Sequence, residues 1–306
     1  MVKKFILILF IFPISFSAYS QNEIDSIHTH KHRFNLSITT QTVFTAATII
    51  VLNEAWYKEH HSSQFRFFND NAEWLQMDKI GHLFSAYHLT NYCNALYKWC
   101  GLTNKKANLI SGLYSFSYLL GIEILDGFSE KWGFSWGDIF ANASGTALAI
   151  TQHQLGAEIF FTLKFSFSES GYAPLRPNLL GKTYAEQILK DYNGQTYWLS
   201  LNPSSIFKIE KAYFPNWLNL ALGYSGEGMI AARNNQLVEI QKNNATYYLK
   251  ANHKRQFLIS IDIDLKKIPV KNKYLKNIFS VINILKIPAP ALEFNKYGSK
   301  FHFLYF

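Results

Sequence analysis

The hydrophobic periodicity of the chain changes near Leu155, and this change limits the possible folds more than any other feature. Before it, apolar residues form stretches of helical length; after it, apolar and polar residues alternate. Alternation with a period of two is typical of strands with one apolar and one polar face. The clearest runs are 163–167, 218–222, 259–263 and 301–305. The sequence therefore predicts an α+β chain, an N-terminal α-helical bundle followed by an antiparallel β region that forms a sheet or a small barrel.

The N-terminus has the organisation of a secretory signal peptide. Lys3 and Lys4 precede an apolar run that ends at Phe16, and a small-x-small cleavage site lies before Gln21. The apolar run is too short, and too closely followed by that site, for a membrane anchor. The predicted organisation is a signal peptide at 1–20, a linker at 21–34, a helical domain at 35–156 and an antiparallel β domain at 157–306.

Three polar segments interrupt the apolar helical half: 78–82, 121–126 and 136–145. On a helix, residues three or four positions apart share a face. The pairs at these spacings are Asp78 with His82, Glu123 with Asp126, and Asp138 with Asn142. An ionised side chain is costly to bury unless it finds a partner or a ligand. We therefore expect one polar cluster where the three helices pack side by side.

This series, DKxxH then ExxD then DxxxNxxG, resembles the YfiM-like envelope proteins of unknown function. More distantly, it resembles the VanZ-like membrane proteins, whose helices carry a comparable Lys-His, Glu and Asp-Asn-Gly series. The resemblance covers about residues 70 to 150 and implies a protein of the cell envelope, without implying an activity. YfiM-like lipoproteins carry a lipidated cysteine at the signal cleavage site, where this chain has Gln21.

Composition and charge favour a membrane-facing protein of the envelope. Aromatic residues make up 17% of the chain and charged residues also 17%, yet a mean hydropathy of -0.05 argues against a polytopic helical membrane protein. The net charge of +9 includes a late group of lysines. An export signal and the lack of a recognition motif argue against nucleic acid, so anionic lipid headgroups are the better partner, with a solvated basic face as the alternative. The lysines are Lys266, Lys267, Lys271, Lys273 and Lys276.

Three interpretations of the polar cluster remain open. In a catalytic site, Glu123 would act as general acid or base, His82 as its proton-transfer partner and Asp138 as an orienting group. A hydrolase or transferase acting on an envelope lipid or glycan would follow. Ligand binding would add Asp78, Lys79, Asp126 and Asn142, with Lys79 placed to contact an anionic group. No cofactor fingerprint occurs, and we predict no cofactor.

A divalent metal is the second interpretation, and its ligands would be Asp78, His82, Glu123 and Asp126. The third is a structural core in which Lys79 pairs with Glu123, and His82 pairs with Asp126 or Asp138. A further possibility for Asp138 is helix capping, because Ser135 precedes it by three residues.

The end of the chain bears on its location. Alternating aromatics before Phe306 are similar to the C-terminal signal of outer-membrane β-barrel proteins, whereas prolines break the regular hairpin rhythm. We therefore expect an exported protein of the outer membrane, either integral or on its periplasmic face. Its expected function is to bind or organise an outer-membrane lipid or an envelope glycan through the polar cluster, with a purely structural, barrel-associated role as the alternative.

Overall fold

The computed structural model describes residues 30–57, 64–156, 160–210, 214–242 and 245–306. The predicted signal peptide and positions 21–29 of the predicted linker lie outside the described residues. The α+β class is confirmed, with helices first and an antiparallel sheet after them. The chain divides into a helical unit and a sheet unit. The helical unit comprises Met1–Asp70, His82–Ala157 and Asn272–Val281; the sheet unit comprises Asn71–Gly81, Glu158–Lys271 and Ile282–Phe306.

Within the described residues, four long helices precede the sheet. They are α1 (Lys31–Leu52), α2 (Met77–Trp99), α3 (Asn104–Gly127) and α4 (Trp136–Leu155). The Thr103 and Ser135 side chains cap α3 and α4 by accepting backbone N–H bonds, and Gly156 ends α4 in the left-handed conformation. Helix α1 starts at Lys31, inside the segment expected to be a linker.

The core of the helical unit joins α1, α2 and α3. Cys93, Tyr97 and Ala107 form a buried cluster against which Phe34 packs. Both cysteines are free and buried, Cys93 within α2 and Cys100 directly after its end. By length and composition alone, two of the described helices, α1 and α3, could cross a membrane, a test that core helices of soluble proteins also pass.

Six strands form one antiparallel sheet in the order β1-β2-β3-β6-β7-β8, and β4 and β5 form a separate hairpin. The sheet is not closed into a barrel, so the open form of the predicted β region is the correct one. The strands are β1 (Phe161–Phe167), β2 (Gln195–Leu201), β3 (Leu218–Glu227), β4 (Leu237–Lys242), β5 (Ala245–Lys250), β6 (Lys254–Ile263), β7 (Ala289–Asn295) and β8 (Gly298–Tyr305). The remaining helices are α5 (Pro177–Leu180), α6 (Tyr184–Lys190), α7 (Pro203–Ile206) and α8 (Lys273–Ile282).

The buried face of this sheet is its polar face. The side chains of Lys164, Ser200, Asn219 and Asp262 are buried, beside a small apolar cluster that includes Trp198. Lys164 on β1 and Asp262 on β6 form a fully buried ion pair at 2.8 Å. Because two other strands separate β1 from β6, the sheet must curl strongly to bring these side chains together. The alternation predicted from the sequence is present, and its apolar side faces outward.

Candidate functional site

A close helix contact positions the polar cluster of the helical unit. A Cβ atom at Gly145 of α4 would overlap the carbonyl oxygen of Leu83 and lie 2.9 Å from Ala86 Cβ, both on α2. Glycine is therefore required for α4 to approach α2 this closely. One turn earlier on α4, Asn142 Oδ1 lies 3.1 Å from His82 Nδ1, at hydrogen-bond distance.

The other nitrogen of His82 faces two carboxylates. His82 Nε2 lies 3.6 Å from Glu123 Oε1 and 4.0 Å from Asp138 Oδ1. Both distances exceed the length of a hydrogen bond. The side chains of Glu123 and Asp138 are 2% and 5% exposed, whereas that of His82 is 20% exposed. Of these three groups, His82 therefore offers the contact with solvent, and the two carboxylates lie behind it.

The start of α4 orients this cluster. Ser135 Oγ accepts the backbone N–H of Asp138 at 3.2 Å and donates to Asp70 Oδ1 at 2.7 Å. The backbone N–H of Ser135 donates to Glu123 Oε2 at 3.4 Å. In a reciprocal capping box that N–H would bond to the side chain of Asp138. Ser135 thus provides the cap, and the Asp138 carboxylate faces His82.

The pKa of Glu123 is raised to about 8, chiefly because the side chain is buried. The carboxylates of Asp138 and Asp126 also contribute to this rise, while His82 and the N–H of Ser135 act in the opposite direction. Glu123 is therefore mainly protonated at neutral pH. A carboxyl group that exchanges its proton near neutrality, beside an imidazole, suits general acid–base chemistry.

This pKa has a measurable effect on stability. In the unfolded chain Glu123 loses its proton near pH 4.5, and in the folded chain near pH 8, so the folded state binds more protons between these values. Stability should fall as pH rises through this window and then level off. Glu123→Gln should remove this slope, and its stability relative to the wild type should rise between pH 5 and pH 9 by a few kcal/mol, at about 1.4 kcal/mol per pKa unit.

Urea unfolding at several pH values measures this difference. Glu130→Gln, which makes the same change at an exposed glutamate, is the control and should follow the wild-type profile. An equal difference between Glu123→Gln and the wild type at pH 5 and at pH 9 would refute the prediction.

Three other predicted site residues have their own contacts. Asp126 Oδ1 accepts a 2.8 Å hydrogen bond from the hydroxyl of Tyr57 in the helical unit. Asp78 and Lys79 lie in the first turn of α2, and this turn alone, up to Gly81, belongs to the sheet unit. There Asp78 accepts a 2.6 Å hydrogen bond from the hydroxyl of Tyr192, and Lys79 Nζ lies 3.6 Å from Asp78.

Two buried polar atoms of the cluster lack hydrogen bonds. Glu123 Oε1 and Asn142 Nδ2 have no hydrogen-bond partner within the part of the chain that the structure describes. Buried polar atoms are nearly always hydrogen-bonded in folded proteins, and leaving one unpaired costs about 1–3 kcal/mol. A ligand that donates to one atom and accepts from the other would remove this cost.

The cluster also contains donor atoms suited to a divalent metal. Imidazole nitrogen and carboxylate oxygen, offered here by His82, Glu123 and Asp138, are common ligands of zinc and related ions. Of the four predicted metal ligands, His82 and Glu123 lie together, and Asp126 is hydrogen-bonded to Tyr57.

One protein family, described as an envelope family, matches part of the chain. Residues 66–154, which contain all three polar segments, match the family described as "Predicted periplasmic lipoprotein (DUF2279)". This match supports an exported, envelope-associated protein from a family without an assigned activity. No curated protein and no solved structure matches the chain.

Proposed function

We propose that this protein acts at the outer membrane and binds or organises a lipid or glycan component through His82, Glu123, Asp138 and Asn142. The observation that carries the proposal is the pair of buried atoms, Glu123 Oε1 and Asn142 Nδ2, that have no hydrogen bond within the described residues and lie behind the partly exposed His82. The match to a family of predicted periplasmic lipoproteins supports a location in the cell envelope. Kinship with the YfiM-like and VanZ-like proteins is part of this proposal and rests on the three polar motifs.

The chemistry of the cluster defines the ligand. Glu123 and Asp138 present carboxyl oxygens that accept hydrogen bonds, and Asn142 presents an amide N–H group that donates one. A hydroxyl group both donates and accepts; in an ethanolamine headgroup the ammonium group donates to a carboxylate and the phosphate oxygens accept from the amide N–H group. Sugar hydroxyls and an ethanolamine headgroup therefore both suit the site.

Thermal unfolding with soluble probes tests the proposal. Glycerophosphoethanolamine and diacetylchitobiose represent the two ligand sources without a membrane. We expect one of them to raise the Tm of the wild type and to leave the Tm of Asn142→Leu and Glu123→Gln unchanged, with Glu130→Gln as the control that keeps the shift. No shift with either probe, or an equal shift in the cluster variants, would contradict the proposal.

The same measurement without ligand separates a binding site from a structural core. If the cluster is arranged for a ligand, Glu123→Gln and His82→Asn should keep or exceed wild-type stability. Breaking a paired structural core instead costs about 3–5 kcal/mol. A loss of that size in both variants would favour the structural role.

A second candidate function is hydrolysis or group transfer on an envelope lipid or glycan. The proximity of His82 to Glu123, whose pKa is raised to about 8, favours it. A bound zinc ion would supply Lewis-acid activation, and His82, Glu123 and Asp138 would hold it. Calorimetric titration with Zn²⁺ tests the metal form of this candidate: heat of binding that His82→Asn abolishes supports it, and no heat from the wild type counts against it.

A further inference from the structure

The outward face of the sheet is apolar across its strands. Its side chains on β3, β6, β7 and β8 have exposed fractions between 38% and 83%. They are Leu220, Leu222, Phe257, Ile259, Ile261, Leu292, Phe294, Phe301 and Phe303. We call this set the outer apolar face. Monomeric soluble proteins rarely expose a contiguous apolar patch of this kind unless it contacts something.

The strand register makes this face continuous. Leu222 of β3 pairs with Ile259 of β6, Ile259 pairs with Leu292 of β7, and Leu292 pairs with Phe301 of β8. Side chains paired across neighbouring strands lie about 5 Å apart on one face. Four strands thus contribute to a single apolar row, and Phe257 with Phe294 begins the next row.

The opposite face of the same strands is polar and paired. Glu293 of β7 accepts hydrogen bonds from Gln256 at 2.8 Å and Asn295 at 2.6 Å, and lies 2.8 Å from His302 Nε2. In water, a two-faced antiparallel sheet normally buries its apolar side. Apolar-out and polar-in alternation is instead the pattern of strands whose outer side faces lipid.

Basic groups lie at one end of the outer apolar face. A cleft of about 610 Å³ is lined there by Phe257 and Phe294 of that face together with Arg255, Lys296 and His253. Lys296 Nζ donates to Asn252 Oδ1 at 3.0 Å, which holds the ammonium group in place. Apolar side chains followed by cations can contact, in the same order, the acyl chains and the phosphate group of a membrane lipid.

We propose that the outer apolar face lies against the acyl chains of a bilayer and that the cleft beside Arg255 and Lys296 receives an anionic lipid headgroup. The formal net charge of +9 complements an anionic membrane surface. This inference concerns the sheet unit and is independent of the ligand proposed for the helical unit.

Vesicle flotation of the full chain tests this proposal. Vesicles of phosphatidylcholine alone are compared with vesicles that contain phosphatidylglycerol as the anionic lipid. We expect the wild type to float with both and more strongly with the anionic vesicles. Ile259→Glu and Phe301→Glu should lower binding to both by at least about tenfold, because an ionised side chain is costly to place among acyl chains. Lys296→Gln should weaken only the preference for anionic vesicles, because Arg255 remains in the cleft.

Phe207→Glu is the matched control, because Phe207 lies outside the strands and is 74% exposed. It should bind vesicles as the wild type does. Circular dichroism verifies that each variant folds, and Ile259→Thr, which retains a β-branched side chain, replaces any glutamate variant that does not.

Two results would overturn the proposal. One is vesicle binding that Ile259→Glu leaves unchanged. The other is a wild-type dimer that ignores vesicles and that Ile259→Glu converts to a monomer, because a second copy would then cover the face. The sheet variants should keep any Tm shift produced by the soluble probes, so failure of this proposal is distinguishable from failure of the one for the helical unit.

Discussion

Replacing Gly145 with alanine is expected to destabilise the helical unit by about 3 kcal/mol. The added methyl group would overlap the Leu83 carbonyl oxygen and crowd Ala86 Cβ. Backbone cannot rotate away as a flexible side chain can, so α4 must move away from α2. That movement would also lengthen the contact between His82 and Asn142, and ligand binding should weaken together with stability.

Gly121→Ala is the matched control for this prediction. Gly121 also lies within a helix, and among the described residues no atom other than those of its chain neighbours and its own helix backbone lies within 4 Å of an added Cβ. Alanine should stabilise α3 there by up to about 1 kcal/mol through helix propensity. Urea unfolding of both variants measures the contrast, and a Gly145→Ala protein as stable as Gly121→Ala would show that the two helices do not need their close contact.

The second large effect is expected inside the sheet. Lys164→Met leaves Asp262 without its closest cation, and breaking a buried ion pair from one side costs about 3–5 kcal/mol. Lys286 is also buried, and its charge interacts with that of Asp262. Because burial lowers the pKa of Lys286 to about 8, the measurement belongs near pH 6, where Lys286 is charged in the variant and in the wild type.

In a Lys286→Met background, where no second buried cation loses its carboxylate, adding Asp262→Leu to Lys164→Met should recover most of the stability that Lys164→Met loses. Both charges are then removed together, and apolar groups of similar volume often replace a buried pair at little cost. Denaturant unfolding of the two single variants and the double variant in this background gives the coupling energy. If the double variant is no more stable there than Lys164→Met, the pair does not contribute as described.

The sequence predicts helices and the residues that share a helix face better than it predicts which side chains form hydrogen bonds with them. Spacings of three and four residues indicate shared helix faces, and the structure brings the side chains of His82, Glu123, Asp138 and Asn142 close to one another. The bond from Tyr57 to Asp126 joins residues 69 positions apart, so local spacing carries no signal for it. The same holds for Tyr192 and Asp78, which are 114 positions apart.

The alternation of apolar and polar residues along a strand likewise does not indicate which of its two faces is buried. The alternation of Leu220 and Leu222 with Asn219 and Ala221 fixes two faces, and both burial arrangements satisfy it. The choice depends on what surrounds the sheet. Here the polar residues lie inside, where Lys164 and Asp262 form an ion pair between strands that are not neighbours, a contact that local alternation does not indicate.

The two buried thiols make opening of the helical unit measurable by their rate of alkylation. Cys93 and Cys100 are the two cysteines of the chain; Cys93 accepts a bond from Gln41, and Cys100 lies 3.1 Å from Ser37 Oγ. Burial raises the pKa of both thiols, that of Cys93 to about 12, so an alkylating reagent meets little thiolate while the helices stay packed. The sequence of the sheet unit contains no cysteine. The alkylation rate therefore measures opening of the helical unit and does not detect opening of the sheet unit.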